Sequence, residues 1–371
     1  MDVRLEKGPF LKALQQQQGI VERKTTVPVL SHVLLKTKGK NQLEIAGTDL
    51  ELTLEECVVA NVLKEGGLTV PAQLLYEVIR KCPDGAEIEL TFDEAQKQLI
   101  FKAGVSHFSL PYFEESQFPE RSVYEWTHDM ILTGMELRTL IDQTRFAMSQ
   151  EEVRFSLNGL YLHVVGENLK AAATDAHRLA LSWIPLPPKL EGLEGMILSR
   201  KTVGELRRLI EGEDQDIKVQ FSGTQGVFRV GQRALYTRFI NGTFPQYREA
   251  IPQEITCQLK LERKSFFEAV DRVSVVAIQE KTRPIKLLVE KGRMTFSSKG
   301  MEQGFATESI SVDYDDAPFE ISFNARYVMD VLQHIRGEHF SMQIKDSKSP
   351  VVMKDLSCEN VLYVLMPVRL A

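Results

Sequence analysis

The run Thr174-Asp175-Ala176-His177-Arg178-Leu179 is where residue types and spacing come nearest to catalytic chemistry. An aspartate and a histidine two positions apart can serve as orienting carboxylate and general base. Such a pair needs a nucleophile, and no serine or cysteine stands beside it in a recognisable setting. G-x-S-x-G, P-loop, G-x-G-x-x-G and H-E-x-x-H patterns are all missing. An earlier stretch, Thr48-Asp49-Leu50-Glu51-Leu52, repeats the Thr-Asp dipeptide without the histidine. Metal chemistry fares no better. His334 and His339 lie five apart, off the spacing that puts two ligands on one helical face. Asp313, Asp315 and Asp316 lack the glycine and terminal glutamate of a calcium loop and read as a solvated turn. Cys57, Cys82, Cys257 and Cys358 form no C-x-x-C pair, so they read as reduced packing residues. No catalytic residue, metal or cofactor is expected.

Whatever the chain does must therefore rest on how its elements are arranged. Its 371 residues, 43% apolar and 26% charged, suit two or three globular domains at roughly 150 residues each. The formal net charge is −6, from 45 basic and 51 acidic residues. That balance disfavours tight nonspecific DNA binding unless the positive charge is segregated. The opening MDVRLEKGPFLKAL carries charges where a signal peptide needs an apolar run, and no window approaches a membrane span. A cytoplasmic protein is expected.

One unit recurs three times, with a period of roughly 125 residues. Each copy opens on a short amphipathic helix: FLKALQQQQGIV (10–21), ELRTLIDQTRFAM (136–148) and SFFEAVDRVSVV (265–276). Leu11 and Leu14 match Leu137 and Leu140, then Phe267 and Val270, each pair spaced i, i+3. Alternating strand pairs follow, and the first two copies end theirs on Thr48-Asp49 and Thr174-Asp175. A second helix comes next, at 70–82, 198–210 and 323–335, with Pro71, Ser199 and Asn324 at its start. Leu75, Val203 and Val328 then match, as do Val78, Leu206 and Val331. The reading is an α+β chain of three repeated domains, each with two helices packed on antiparallel sheets. The breaks fall in turn-rich stretches and give domains 1–125, 126–252 and 253–371.

The repeat sharpens the charge argument. Lys12 falls where Arg138 falls, Arg80 where Arg208 falls, and Lys201 where Arg326 falls. Basic residues thus recur at equivalent helix positions inside an acidic body. A mildly positive helical face of that kind suits loose, mobile contact with phosphates.

The sequence resembles the bacterial DNA polymerase sliding clamps along its whole length. The resemblance rests on GTDLE (47–51), LNG (157–159), ATDAHRLA (173–180), FPQYR (244–248), FN-x-x-YV-x-DVL (323–332) and YVLMPVRL (363–370). It implies three clamp-fold domains, a ring-forming head-to-tail homodimer around double-stranded DNA, and no enzymatic activity. The implied partners are a clamp loader, the replicative DNA polymerase and other proteins carrying a clamp-binding motif; no membrane is involved. It further implies a peptide-binding pocket walled by Leu157, Thr174, His177, Arg178, Leu179, Pro245, Val364, Met366, Pro367, Val368 and Arg369, with the two arginines fixing peptide carbonyls or carboxylates. Implied DNA contacts are Lys24, Arg80, Phe155, Arg200, Lys201 and Lys281. The implied dimer seam joins Leu74, Val78 and Phe108 of one chain to Val276 and Ala277 of the other. Ala176, Glu249 and Pro350 stand where the family usually has glycine, a basic residue and a small hydroxyl residue. Two alternatives remain at this level: a scaffold of the same repeats that never encloses DNA, and a hydrolase using Asp175 and His177.

Overall fold

The computed structural model describes residues 1–93, 98–120, 125–188, 190, 195–212, 215–280, 282–300 and 304–368. Among these are six α-helices, two to each sequence repeat: α1 Lys7–Gln17, α2 Ala72–Lys81, α3 Gly134–Asp142, α4 Arg200–Leu209, α5 Arg263–Ser274 and α6 Ala325–His334. None is long and apolar enough to cross a membrane.

The apolar spacing of each helix dictates its buried stripe. In α1 the stripe is Phe10, Ala13, Leu14 and Gln17, and in α5 it is Phe266, Ala269, Val270 and Val273, both i, i+3, i+4, i+7 patterns. The centre of the stripe lies one residue earlier than the sequence match suggests. Phe10 and Phe266 are fully buried, whereas Leu11 and Phe267 are half-buried and flank it. An i, i+3 pair fixes a face but not its midline, which accounts for the shift. In the second helices Leu75, Val203 and Val328 are buried as matched. Val78 is only half-buried, although Leu206 and Val331 at the same position are fully buried. Asn324 caps α6 by accepting the Arg326 N–H at 3.0 Å.

The strands form four sheets among the described residues, and every recorded pairing is antiparallel. A five-stranded sheet runs in the order Asn61–Lys64, Asp2–Glu6, Glu87–Asp93, Gln98–Ala103, Ser106–Leu110. A four-stranded sheet runs Gly304–Ser311, Arg293–Gly300, Pro284–Glu290, Phe319–Asn324. The two wider sheets each draw on two consecutive repeats. In the nine-stranded sheet Leu52–Val59 of the first repeat pairs with Arg233–Arg238 of the second. In the eight-stranded sheet Arg178–Pro185 of the second repeat pairs with Val361–Leu365 of the third.

That pairing decides the compact units, of which there are two. The first takes the described residues of 1–135, 187–190 and 201–239, and the second takes the rest. Continuous main-chain hydrogen bonding across a repeat boundary holds its two sides in one body. In the first unit α1 packs on α2 over Phe10, Leu14, Leu75 and Ile79, and in the second α5 packs on α6.

Candidate functional site

The two Thr-Asp dipeptides build the same turn twice. Thr48 Oγ1 accepts the Leu50 N–H at 3.0 Å and donates to the Leu52 carbonyl at 3.1 Å. Thr174 Oγ1 accepts the Ala176 N–H at 3.0 Å and donates to the Arg178 carbonyl at 2.6 Å. Asp49 Oδ1 takes the N–H groups of Glu51 and Leu52, and Asp175 Oδ1 those of His177 and Arg178. The turn forces a positive φ on the third residue, +79° at Leu50 and +73° at Ala176. Glycine adopts that conformation without strain, so the glycine expected at 176 has a physical reason.

These bonds remove the catalytic reading of Asp175 and His177. One carboxylate oxygen of Asp175 is held by backbone N–H groups, and the other accepts from Arg178 Nε at 3.1 Å. No bond joins the carboxylate to the His177 ring, which stacks on Tyr327 with centroids 6.0 Å apart. Nor do the described residues hold any group of three or more His, Cys, Asp or Glu placed to bind a metal.

Directly beside the second turn lies a cavity of about 730 Å³, contained within the second unit. Its apolar lining comes from Val153 and Leu157, Leu179, Pro245, and Val364 with Met366. Strand register brings these together, since Thr174 pairs with Leu179 and Leu179 with Val364. After Leu365 the chain leaves the sheet, with Met366 N–H donating to the His177 carbonyl and Val368 N–H to that of Ser322. The opposite wall is the short 3₁₀ turn Tyr247–Ala250. Tyr247 is pinned there by a 2.7 Å bond between its hydroxyl and His163 Nε2. Burial depresses the His163 pKa to about 4 and raises that of Tyr247, so both are neutral at physiological pH. Phe244 stacks on Tyr161, centroids 4.7 Å apart, behind the same wall. A trough whose apolar strip includes an adaptable methionine, flanked by polar residues such as Thr174, Thr243 and Gln246, accepts extended apolar side chains.

Of the residues expected at a peptide pocket, Leu157, Thr174, Arg178, Leu179, Pro245, Val364 and Met366 line this cavity. His177, Pro367 and Val368 do not, and Arg369 lies outside the described residues. His177 is an exposed turn residue whose ring stacks on Tyr327 and whose carbonyl accepts the Met366 N–H at the edge of the wall. Arg178 has a further role. Its guanidinium is buried, donating to Asp175, to Asp330 and, at 2.8 Å, to the Phe146 carbonyl. The ring of Tyr327 lies 4.5 Å from it. Three of its five N–H groups being engaged in this way, this side chain shapes the turn as well as lining the cavity. Val153, Gln246, Tyr247 and Ala250 also line the cavity. Tyr247 sits inside the FPQYR motif, two residues from Pro245, while Val153 left no apolar periodicity to notice.

Among the residues expected at DNA, Lys24, Arg80, Phe155 and Arg200 are exposed, Phe155 by 56%. Arg200 also donates to the Met148 and Ser149 carbonyls. Lys201 is exposed too, and its ammonium pairs with Asp49 and donates to the Ile20 carbonyl at 2.8 Å, so it also braces the first Thr-Asp turn. Lys281 lies outside the described residues. Arg80 pairs with Glu77 at 2.6 Å and Arg208 with Glu205 at 3.1 Å, the same i, i+3 pair on equivalent helices.

Of the seam residues, Leu74 and Phe108 are exposed and Val78 and Val276 half-buried. Ala277 is 1% exposed, packed inward from its 3₁₀ turn, and offers a partner nothing. Val275 and Ile278 beside it are the exposed apolar residues, at 57% and 50%.

Family models match the chain over its whole length. The N-terminal, central and C-terminal domain models of the DNA polymerase III beta subunit cover residues 1–122, 131–246 and 248–369. The chain is 42% identical to the beta sliding clamp of Caulobacter vibrioides and 32% identical to that of Escherichia coli K12, with all of each chain covered. Among solved structures it resembles the Caulobacter crescentus DNA polymerase III beta at a TM-score of 0.95 and 41% identity, with 100% of both chains covered. It is equally like the Bartonella birtlesii clamp bound to griselimycin, at 0.96 and 36%, again with 100% of both chains covered.

Proposed function

The chain belongs to the DNA polymerase III beta subunit family, the beta sliding clamps, and on that premise we propose that two copies close head to tail into a ring that tethers partners through the second unit's cavity. Members of the family encircle duplex DNA and hold the polymerase on it, and they are not enzymes.

The observation that carries the dimer is a pair of open sheet edges. Within the chain, the strand after a repeat's Thr-Asp turn, or its counterpart, pairs with the last long strand of the next repeat. This happens twice, as Leu52–Val59 with Arg233–Arg238 and as Arg178–Pro185 with Val361–Leu365. The third repeat's counterpart, Gly304–Ser311, and the first repeat's counterpart, Ser106–Leu110, each lie at the edge of their sheet. Among the described residues nothing pairs with either outer edge. An open edge is a template for another strand. Apolar residues accompany both: Phe108, 38% exposed, on one, and Phe305, 65% exposed, with Val275 of the adjoining 3₁₀ turn at the other. A second copy supplies each edge with its complement, and only a head-to-tail arrangement does so on both sides.

The rest of the reading follows from such a ring. Domain limits near 125 and 252 mark six equivalent units in two chains. Exposed Lys24, Arg80, Phe155 and Arg200 are assigned to the DNA duplex. The second unit's cavity is assigned to short apolar peptides of the polymerase and of other clamp-binding proteins. The chain has no P-loop, so ring opening falls to a separate ATP-driven clamp loader in the cytoplasm.

Sedimentation at micromolar concentration tests the dimer. Wild type is expected at twice the chain mass, and Phe108→Arg at the single-chain mass. Ile131→Arg, also at an exposed position, is expected to stay dimeric. A wild-type chain that sediments as a monomer would overturn the ring, as would a Phe108→Arg dimer of unchanged stability. Retention on circular but not on cut DNA then separates the clamp from a scaffold.

A further inference from the structure

The first unit contains a cavity of about 850 Å³ whose frame repeats that of the cavity already described. The equivalence is set by strand register. Thr48 pairs with Thr53 and Thr53 with Tyr236, as Thr174 pairs with Leu179 and Leu179 with Val364. Counting onward along the two last strands places Arg238 where Met366 stands. Phe118-Pro119 corresponds to Phe244-Pro245, and both phenylalanines are buried. Thr48, Leu50, Thr53, Pro119, Tyr236 and Arg238 all line the first cavity, and their six counterparts all line the second.

The chemistry of the lining has changed. Three apolar positions, Leu179, Val364 and Met366, become Thr53, Tyr236 and Arg238. Trp126 joins the wall, giving an aromatic surface with a half-buried indole. Five carboxylates, Glu44, Glu51, Glu55, Glu115 and Glu120, face two cations, Lys36 and Arg238. Lys36 is held by Glu115 at 2.5 Å, Arg238 stands 3.8 Å from Glu51, and Lys38 from outside pairs with Glu44. The lining itself thus carries five carboxylates against two cations.

We infer that this first-unit cavity is a second docking groove, taking an extended basic peptide with an apolar or aromatic anchor. The equivalence rests on reading the second unit's cavity as a peptide site. The carboxylates select lysine and arginine side chains by charge complementarity. Leu50, Trp126 and Tyr236 take the anchor.

Trp126 and Trp183 are the two tryptophans of the chain, so Trp183→Phe leaves Trp126 as the sole indole reporter. The probe is a lysine-rich peptide carrying a Leu-Phe pair, with a twin in which each lysine is glutamate. Trp126 emission is expected to change saturably with the basic peptide and to respond at least about tenfold more weakly to the twin. Glu51→Lys combined with Glu55→Lys is expected to weaken the basic peptide by about tenfold or more. Glu359→Lys, an exposed acid of the other unit, is expected to leave it unchanged. Met366→Lys is also expected to leave it unchanged, while abolishing binding of a neutral Leu-Phe peptide. That last loss tests the second-unit site separately. The inference is overturned by Trp126 emission that ignores the basic peptide, or by equal affinity for the twin. It is also overturned if emission shifts with chain concentration alone, which would make a second copy the occupant.

Discussion

Replacing Arg178 with alanine separates a residue that shapes the peptide cavity from one that touches the peptide. The guanidinium is 9% exposed and donates to Asp175, Asp330 and the Phe146 carbonyl. Truncation removes one donor from each of two carboxylates and a carbonyl, while Asp175 keeps the backbone N–H groups of His177 and Arg178. Breaking a buried pair in this way typically costs about 3–5 kcal/mol. Here the Asp175 and Asp330 side chains are 14% and 26% exposed, so water compensates part of the loss. The lost contacts to the Phe146 and Tyr327 rings, at 5.2 and 4.5 Å, act in the other direction. The expected loss is about 2–3 kcal/mol, or about 4–12 °C in the melting of the second unit. Calorimetry reads the melting, and polarisation of a labelled Leu-Phe peptide reads binding. Arg178→Ala should lose both together, because the Thr174 turn that frames the cavity loosens with the pair. Arg178→Lys should fall between, keeping charge without the planar fork. Met366→Ala should weaken the peptide by about tenfold while melting as wild type. An Arg178→Ala protein that melts as wild type yet binds no peptide would refute the reasoning and return this arginine to direct contact.

Three further outcomes follow from the same structure. His163 has a folded pKa of about 4, below its ordinary 6.5, so the unfolded chain binds the extra proton between those values. Its contribution to stability is complete above about pH 6.5 and falls away as pH drops toward 4, by about 2 kcal/mol between pH 7 and 5. Urea titrations across that window should show His163→Gln with a flatter slope than wild type. Ala176→Gly should relieve the left-handed strain at +73°, about 1 kcal/mol, offset by roughly half through glycine's freedom when unfolded. A slightly raised melting temperature with unchanged peptide affinity is expected. Glu77→Gln with Glu205→Gln should unmask Arg80 and Arg208. Duplex anisotropy against salt should then steepen by about two counterions per chain.

The repeat and the six helices were legible because local periodicity and element order carry them, whereas the wall formed by Leu157, Thr174, Leu179, Pro245, Val364 and Met366 was reached only through the motifs of the family resemblance. Other features depend on meetings that no local pattern records. Lys201 finds Asp49 across 152 positions, and Arg178 finds Asp330 across as many. Both cations read from sequence as free to bind a ligand, and both are structural braces. The burial of Ala277 beside exposed Val275 and Ile278 is a matter of which way a single 3₁₀ turn faces. A one-residue ambiguity of the same kind hid Phe10 behind Leu11. Tyr247 was within reach of its motif, and its bond to His163, 84 positions away, was not.

The braces also explain how an acidic chain can be suited to duplex DNA. Of the basic residues that recur on equivalent helices, Arg80 and Arg208 each carry a glutamate three residues back, and Lys201 is held by Asp49. Each pairing reduces the positive field without removing the cation. A strongly charged lining would bind phosphates tightly and steeply with salt, and each displacement along the duplex would then meet a barrier. Enclosure by the proposed ring asks the opposite of the surface, because DNA is then held by topology and not by affinity. The Glu–Arg pairs and the net charge of −6 are then one design. In the proposed ring, retention rests on backbone pairing at Ser106–Leu110 and Gly304–Ser311, and the side chains assigned to the duplex are left free to be weak.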